Sequence, residues 1–135
     1  MIPLLASLWA LPCTMLGTML AVFGGANFRF APEARTMEFT APTRGPWVWF
    51  FERSDFRAIT IGEVIVWRDL HAMHDRHLAA HELRHVAQYR RLGPLFFIAY
   101  PLLSLLALVM GREAHGGNWL EMEAKLAANE GDHAR

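Results

Sequence analysis

Two long runs of this chain, residues 2–25 and 94–111, contain no charged side chain. Such runs must be buried in protein or given to lipid, and the rest of the fold is arranged around them. The first is long enough to span a bilayer as a helix. A signal peptide would need a basic residue before the apolar run and a small-x-small cleavage site after it. Neither is seen, so residues 1–25 are expected to form a retained N-terminal membrane helix, softened by Pro12 and ending at Gly24-Gly25. As a helix the second run is about 24–27 Å long, a little short of a ~30 Å hydrocarbon core. Pro101 falls near its middle, where it would kink or break a helix. Residues 94–111 are therefore expected to form a bent segment that is buried, in-plane or re-entrant, returning the chain to the side it left.

Hydrophobic residues make up 53% of the chain, somewhat high for a soluble domain. The 13 Lys and Arg balance the 13 Asp and Glu, so no basic excess argues for nucleic acid. Membrane lipid is the expected partner surface. Cys13 is the single cysteine, which excludes an internal disulfide and is expected to be an inert buried thiol. Arg29 and Arg35 follow the first apolar run and no Lys or Arg precedes it. By the positive-inside rule the domain after it should face the cytoplasm.

Residues 26–67 read as β-rich. Arg35–Thr40 is a weak strand, Trp47–Phe51 a stronger one set off by Arg44-Gly45-Pro46, and Ala58–Trp67 is rich in Ile, Val and Thr. Arg53-Ser54-Asp55 reads as a turn. The expectation is a small antiparallel sheet of about three strands feeding into a helix. Trp47, Trp49, Phe50 and Phe51 are expected to divide between the core and the membrane interface.

Asp75 to Leu92 holds no Pro or Gly and reads as that helix, with Asp75 as N-cap, Gly93 as the stop and Pro94 beyond. It carries His81-Glu82-Leu83-Arg84-His85, an H-E-x-x-H pattern. Residues four apart on a helix share a face, so His81 and His85 can point two imidazoles at one Zn²⁺. Glu82 lies about 100° round the helix, where it can act on water without being a ligand. Two ligands, one general base and an open position are what a zinc hydrolase needs. His71, His74 and His77 precede the motif and are expected to be surface residues. A third ligand is needed, and Glu121 and Glu123 in the downstream segment Asn118–Ala124 are the candidates. Asn118 with Glu121 also fits a helix N-cap with its N3 carboxylate, which would compete with a ligand role.

The blocks HELRHVAQYRRLGPLFFIAY and NWLEMEA, with AITIGEVIV before them, resemble small bacterial membrane-associated proteins. Those proteins share an H-E-x-x-H-x-x-Q-Y-x-x-x-G-P-x-F-x-x-x-Y core and a later N-x-x-E-x-x-A. More broadly the pattern is similar to gluzincin metallopeptidases, whose third ligand is the Glu of an E-x-x-A segment. The resemblance implies Glu121 as that ligand, with Ala124 giving close helix packing. Lys125 stands where many gluzincins carry an Asp that orients a zinc-bound His.

The expected fold class is thus α+β. An N-terminal helix anchors a zincin-like domain over residues 26–135, built from the small sheet, the motif helix and a backing helix that carries Glu121. The expected function is zinc-dependent hydrolysis of a peptide or protein amide bond at a bacterial inner membrane. His81, His85 and Glu121 would hold Zn²⁺ and Glu82 would be catalytic. The rival expectation is a non-enzymatic membrane protein with a structural or degenerate metal site.

Overall fold

The computed structural model describes residues 3–133. It opens with helix α1 (Pro3–Phe23), whose buried residues are Ala6, Ala10, Cys13, Thr14, Gly17 and Ala21. Their spacing lays a stripe of small side chains along one face. Small residues let neighbouring backbone come close. A Cβ at Gly17 would stand 2.5 Å from the Ile61 carbonyl oxygen, and one at Gly93 would stand 2.6 Å from the Trp9 indole. The opposite face is large and apolar, with Leu4, Leu8, Leu11, Met15 and Met19 all exposed.

The sheet is mixed and four-stranded, in the order β1 (Asn27–Ala31), β2 (Thr36–Thr40), β4 (Val64–Trp67), β3 (Ala58–Ile61). β1 with β2 and β3 with β4 are antiparallel, while β2 with β4 is parallel. The expected all-antiparallel sheet is therefore corrected. A parallel pair needs a crossover, and here the connection runs through a helix and β3. The expected single strand Ala58–Trp67 is instead a hairpin. Gly62, at φ +66, takes the first central position of its two-residue turn, where glycine suits the twist of the flanking strands. β4 is buried throughout. Val64 and Val66 pack with Phe39, Trp47 and Phe51 on one face. Ile65 and Trp67 pack with Ala58, Ala72 and Val86 on the other.

Trp47–Phe51, expected as a strand, lies in helix α2 (Pro46–Arg53). Aromatic and β-branched content suggested a strand, but Pro46 at the first turn presets a helical φ. Trp47 and Phe51, four apart, then turn inward together. Trp49 points outward with the Arg53 guanidinium 4.7 Å over its ring.

Asp69 caps a short helix α3 (Leu70–His74), and Asp75 caps α4 (Arg76–Leu92) by accepting from the Leu78 amide. Gly93 ends α4 as expected, and a 3-10 turn (Gly93–Leu95) leads into α5 (Phe96–Val109). Helix α5 continues through Pro101 without interruption, and Phe96 and Ala107 are its buried residues. Leu102, Leu105, Leu106, Leu108 and Val109 are exposed, so this run is not a buried segment. The chain then doubles back along α5. The Asn118 carboxamide donates to the Tyr100 carbonyl (2.9 Å) and to Ser104 Oγ (2.8 Å). Asn118 Oδ1 accepts from the Leu120 amide at 2.9 Å, which starts α6 (Trp119–His133) beside α4.

Glu63, next to the hairpin glycine, joins three elements. Its carboxylate accepts from Ser7 Oγ (2.7 Å) on α1 and from Arg90 Nε (2.5 Å) on α4, while its amide donates to Thr14 Oγ1 (3.0 Å). The hairpin tip is thus held against α1, with Gly62 so close that a Cβ there would overlap the Thr14 backbone. Gly111 has a similar φ of +74 but open space around it. Both Gly→Ala changes pay for a left-handed backbone, and Gly62→Ala must also push α1 away. It should therefore cost about 1–3 kcal/mol more than Gly111→Ala. Denaturant titrations of the two variants in detergent check this, and equal losses would mean that α1 does not bear on the hairpin.

Candidate metal centre

Residues His81 and His85 sit one turn apart on α4, and Asp75 fixes where that helix begins. Their Nε2 atoms stand 3.2 Å apart. Glu121, in the first turn of α6, brings its carboxylate between them: Oε2 lies 3.3 Å from His81 Nε2, and Oε1 lies 3.3 Å from His85 Nε2. Glu121 is 2% exposed and His85 7%. The three expected ligands are therefore brought together, with one donor atom of each within 4.8 Å of the others.

The tautomer of His85 follows from its neighbours. Gln88 Nε2 donates to the Leu120 carbonyl (2.8 Å) and to Glu123 Oε2 (2.7 Å). Both are acceptors only, so the amide nitrogen must face them. Gln88 Oε1 is then turned to His85 Nδ1, 2.9 Å away. An oxygen there requires Nδ1 to carry the proton, which leaves the lone pair of neutral His85 on Nε2, toward Glu121. Lys125 is exposed on α6. The His85 imidazole is oriented instead by Gln88, on the motif helix itself.

Behind Glu121 stands the Tyr100 hydroxyl, which donates to Oε1 at 2.8 Å and meets His115 Nδ1 at 2.7 Å. Burial alone would push the Glu121 carboxyl up. Without a cation in the site, N–H groups of His81 and His85 that carry a proton toward Glu121, together with the Tyr100 hydroxyl, outweigh it and hold the group well below the usual carboxylate range. The capping role that competed for Glu121 is met by Asn118 Oδ1 alone. Glu123 faces elsewhere, toward Arg84, Arg91 and Gln88. Those partners outweigh its partial burial and hold its pKa low as well.

Glu82 is buried beside the centre, and Thr60 Oγ1 on β3 donates to its Oε2 at 2.6 Å. That leaves Oε1 as its free acceptor. A cavity of about 380 Å³ opens over Glu82, both histidines and Glu121. His71, His74 and His77 lie outside it. His74 Nδ1 is engaged by the Leu70 carbonyl, and His77 Nε2 by Asn129 Oδ1. A continuous histidine stripe does not form, because Asp75 breaks the helix between His74 and His77.

The donor set fits a divalent ion. Tetrahedral zinc with bonds of about 2.0–2.1 Å separates its ligand atoms by about 3.3 Å, close to the 3.2 and 3.3 Å found here. Glu121 Oε2 is buried without a hydrogen-bond partner. Converging lone pairs and a buried carboxylate call for a cation between them. Gln88, Tyr100, His115 and Thr60 were not identified as functional by sequence reasoning. Gln88 and Tyr100 were visible as fixed letters of the core pattern, but spacing gave no hint of their partners, which lie on other elements.

A family model described as the eCIS core domain matches residues 50–93. The match runs from the end of α2 through β3, β4, α3 and α4. It takes in His81, Glu82 and His85, stops short of Glu121, and spans about a third of the chain. No curated protein matches the chain, and no solved structure does.

Two sets of substitutions test this geometry through metal affinity, read by titration calorimetry. Glu121→Gln should abolish tight binding, whereas Glu123→Gln should retain it. Gln88→Leu, which frees the His85 ring, should weaken binding about 10–100-fold. Unchanged affinity in Gln88→Leu would show that the amide does not orient the ligand.

Proposed function

We propose that this chain is a membrane-associated, zinc-dependent amide hydrolase of the zincin-like kind, acting on a peptide or protein. The observation that carries the reading is the convergence of His81, His85 and Glu121 at ligand-to-ligand distances of 3.2–3.3 Å, with Glu82 beside them. When bound, zinc supplies Lewis-acid polarisation of a carbonyl and makes water acidic enough to ionise near neutral pH. The chain's own residues do the rest. His81, His85 and Glu121 hold the ion and leave the cavity side open. Glu82, fixed through one oxygen by Thr60, accepts a proton from water on the other and returns it to the leaving amine. The likeness to the eCIS core domain over residues 50–93 supports a unit of β3, β4, α3 and α4 built round the motif, and it carries no activity by itself.

The membrane part of the proposal rests on exposed surface. Helix α1 is about 31 Å long at the α-helical rise, enough for a hydrocarbon core. Its inner face is occupied by protein along its length, so the outer face of Leu and Met is what lipid would meet. The exposed leucines of α5 extend that apolar surface beyond what a soluble monomer usually carries. Helix α5 alone, about 21 Å long, falls short of a hydrocarbon core. With the return of the chain from Val109 to Asn118 at Tyr100 and Ser104, this favours a segment that enters the bilayer without crossing it. Arg29 and Arg35 after α1 favour a domain on the cytoplasmic side of a bacterial inner membrane.

Purified in detergent, the protein should carry about one zinc per chain. Glu82→Gln should keep that metal and lose about 10²-fold or more of the hydrolysis rate on an end-blocked peptide library. His81→Ala should lose both. Zinc without hydrolysis in the unaltered protein would leave a structural metal site, and absence of zinc would overturn the reading.

A further inference from the structure

The cavity over the metal centre has walls as informative as its floor. Its charged or metal-seeking groups are His81, Glu82, His85, His115 and Glu121. Among the described residues, no Lys or Arg lines it. Selecting a C-terminal residue needs a cation for the free carboxylate, usually a forked guanidinium. Selecting an N-terminal residue needs a spare carboxylate for the free amine. Neither carboxylate here is spare on the metal-hydrolase reading: Glu121 is given to the ion, and Glu82, with one oxygen on Thr60, is given to proton transfer. His115, the one remaining group that can become cationic, is tied to the Tyr100 hydroxyl. The cavity therefore has nothing to recognise a chain end.

Its walls are apolar. Ile59 and Ile61 of β3 form one side, Phe97 and Pro101 of α5 the other. A charged side chain entering between these walls would lose water and meet only groups already given to the ion, to proton transfer or to the Tyr100 hydroxyl. Phe97 is 44% exposed and leads into Ile98 and Leu102, 60% and 59% exposed, on the outer face of α5. The cavity mouth is thus continuous with the surface proposed to meet lipid. All four residues of β3 line the cavity, and β3 is an end strand whose one ladder partner is β4. An end strand offers main-chain donors and acceptors to an extended polypeptide. An acyl chain could use none of them.

From this we infer that the substrate is the interior of an extended, uncharged, apolar polypeptide stretch, presented from the membrane side and selected without reference to its termini. The inference rests on the metal-hydrolase reading above and names the substrate class for that same site.

The test uses full-length Glu82→Gln protein, loaded with zinc, in lipid nanodiscs. Binding is measured by fluorescence anisotropy of a short Leu-, Phe- and Val-rich peptide, acetylated and amidated at its ends. The apolar peptide should bind at least about tenfold tighter than one with Lys and Glu at its centre, and freeing either terminus should not improve it. Phe97→Lys should weaken binding about tenfold with zinc content and circular dichroism unchanged, and Phe97→Leu should restore it. A requirement for a free amino or carboxyl end would overturn the inference in favour of an exopeptidase. Binding of a fluorescent fatty-acid amide by a protein that ignores the peptide would move the substrate to lipid. Equal binding of the charged peptide would remove the selectivity claimed. Zinc content separates the two levels: zinc bound without peptide binding sinks this inference alone, whereas no zinc sinks the metal reading with it.

Discussion

The Gln88 carboxamide is hydrogen-bonded on both sides of the helix pair that brings His81, His85 and Glu121 together. Its nitrogen holds the start of α6 through the Leu120 carbonyl and Glu123, and its oxygen holds the His85 ring. At 1% exposure it has no water to fall back on, so each bond it makes is costly to lose. The consequence is geometric. The same group that sets α6 against α4 also decides which nitrogen of His85 carries a lone pair. Arg84 and Arg91, bonded to the outer side of Glu123, close the arrangement from the surface. Glu121 is carried to the imidazoles because the segment two residues on is pinned to α4.

A second constraint comes from the small-residue face of α1. An ordinary apolar helix would hold its neighbours about 8–10 Å from its axis. Here Gly17, Gly62 and Gly93 let the hairpin tip and the turn between α4 and α5 press on α1 directly. The polar groups that this closeness buries are paired: Thr14 takes the Glu63 amide and donates to the Ala10 carbonyl. Glu63 then ties α1 to Arg90 on the motif helix. Strand β3, whose Thr60 holds Glu82, ends at this hairpin. The position of Glu82 relative to His81, His85 and Glu121 therefore depends on how α1 seats the hairpin, some distance away.

Much of this centre was legible in the sequence because the helix period does the work. His81 and His85 four apart, with Asp75 and Gly93 at the ends, rest on local rules that the structure obeys, whereas Glu121 was pointed to only by the resemblance to an E-x-x-A segment. Glu121 against Glu123 could not be decided by spacing, since either could face α4; the pairing of Glu123 with Arg84 and Gln88 decides it. The sheet was less legible. β1 is short and exposed along nearly its whole length, and the brief alternation of Phe28 and Phe30 with Asn27 and Arg29 hardly stands out after the long apolar run. Trp47–Phe51 has the composition of a strand, and only Gly45-Pro46 and the inward pair Trp47 and Phe51 mark it as a helix. Gly62 inside Ala58–Trp67 was the visible sign of a hairpin. It was outweighed by the β-branched run around it.

Helix α5 shows why hydropathy alone misjudges such a segment. By composition it belongs with membrane spans, yet one of its faces is part of the metal centre. Phe96, Tyr100 and Ser104 recur every four residues and so share a side. Phe96 stacks on Tyr89 with ring centroids 3.9 Å apart, Tyr100 holds Glu121, and Ser104 holds Asn118. Leu102, Leu105 and Val109 turn the other way. The few polar groups on this apolar helix are thus the ones that fix Glu121 and the cap of the helix bearing it. A hydroxyl and a serine among leucines would be unfavourable in lipid without partners. Their partners all come from the returning segment 115–121, so the stretch that a hydropathy profile assigns to the bilayer is also what requires the chain to come back to the histidines.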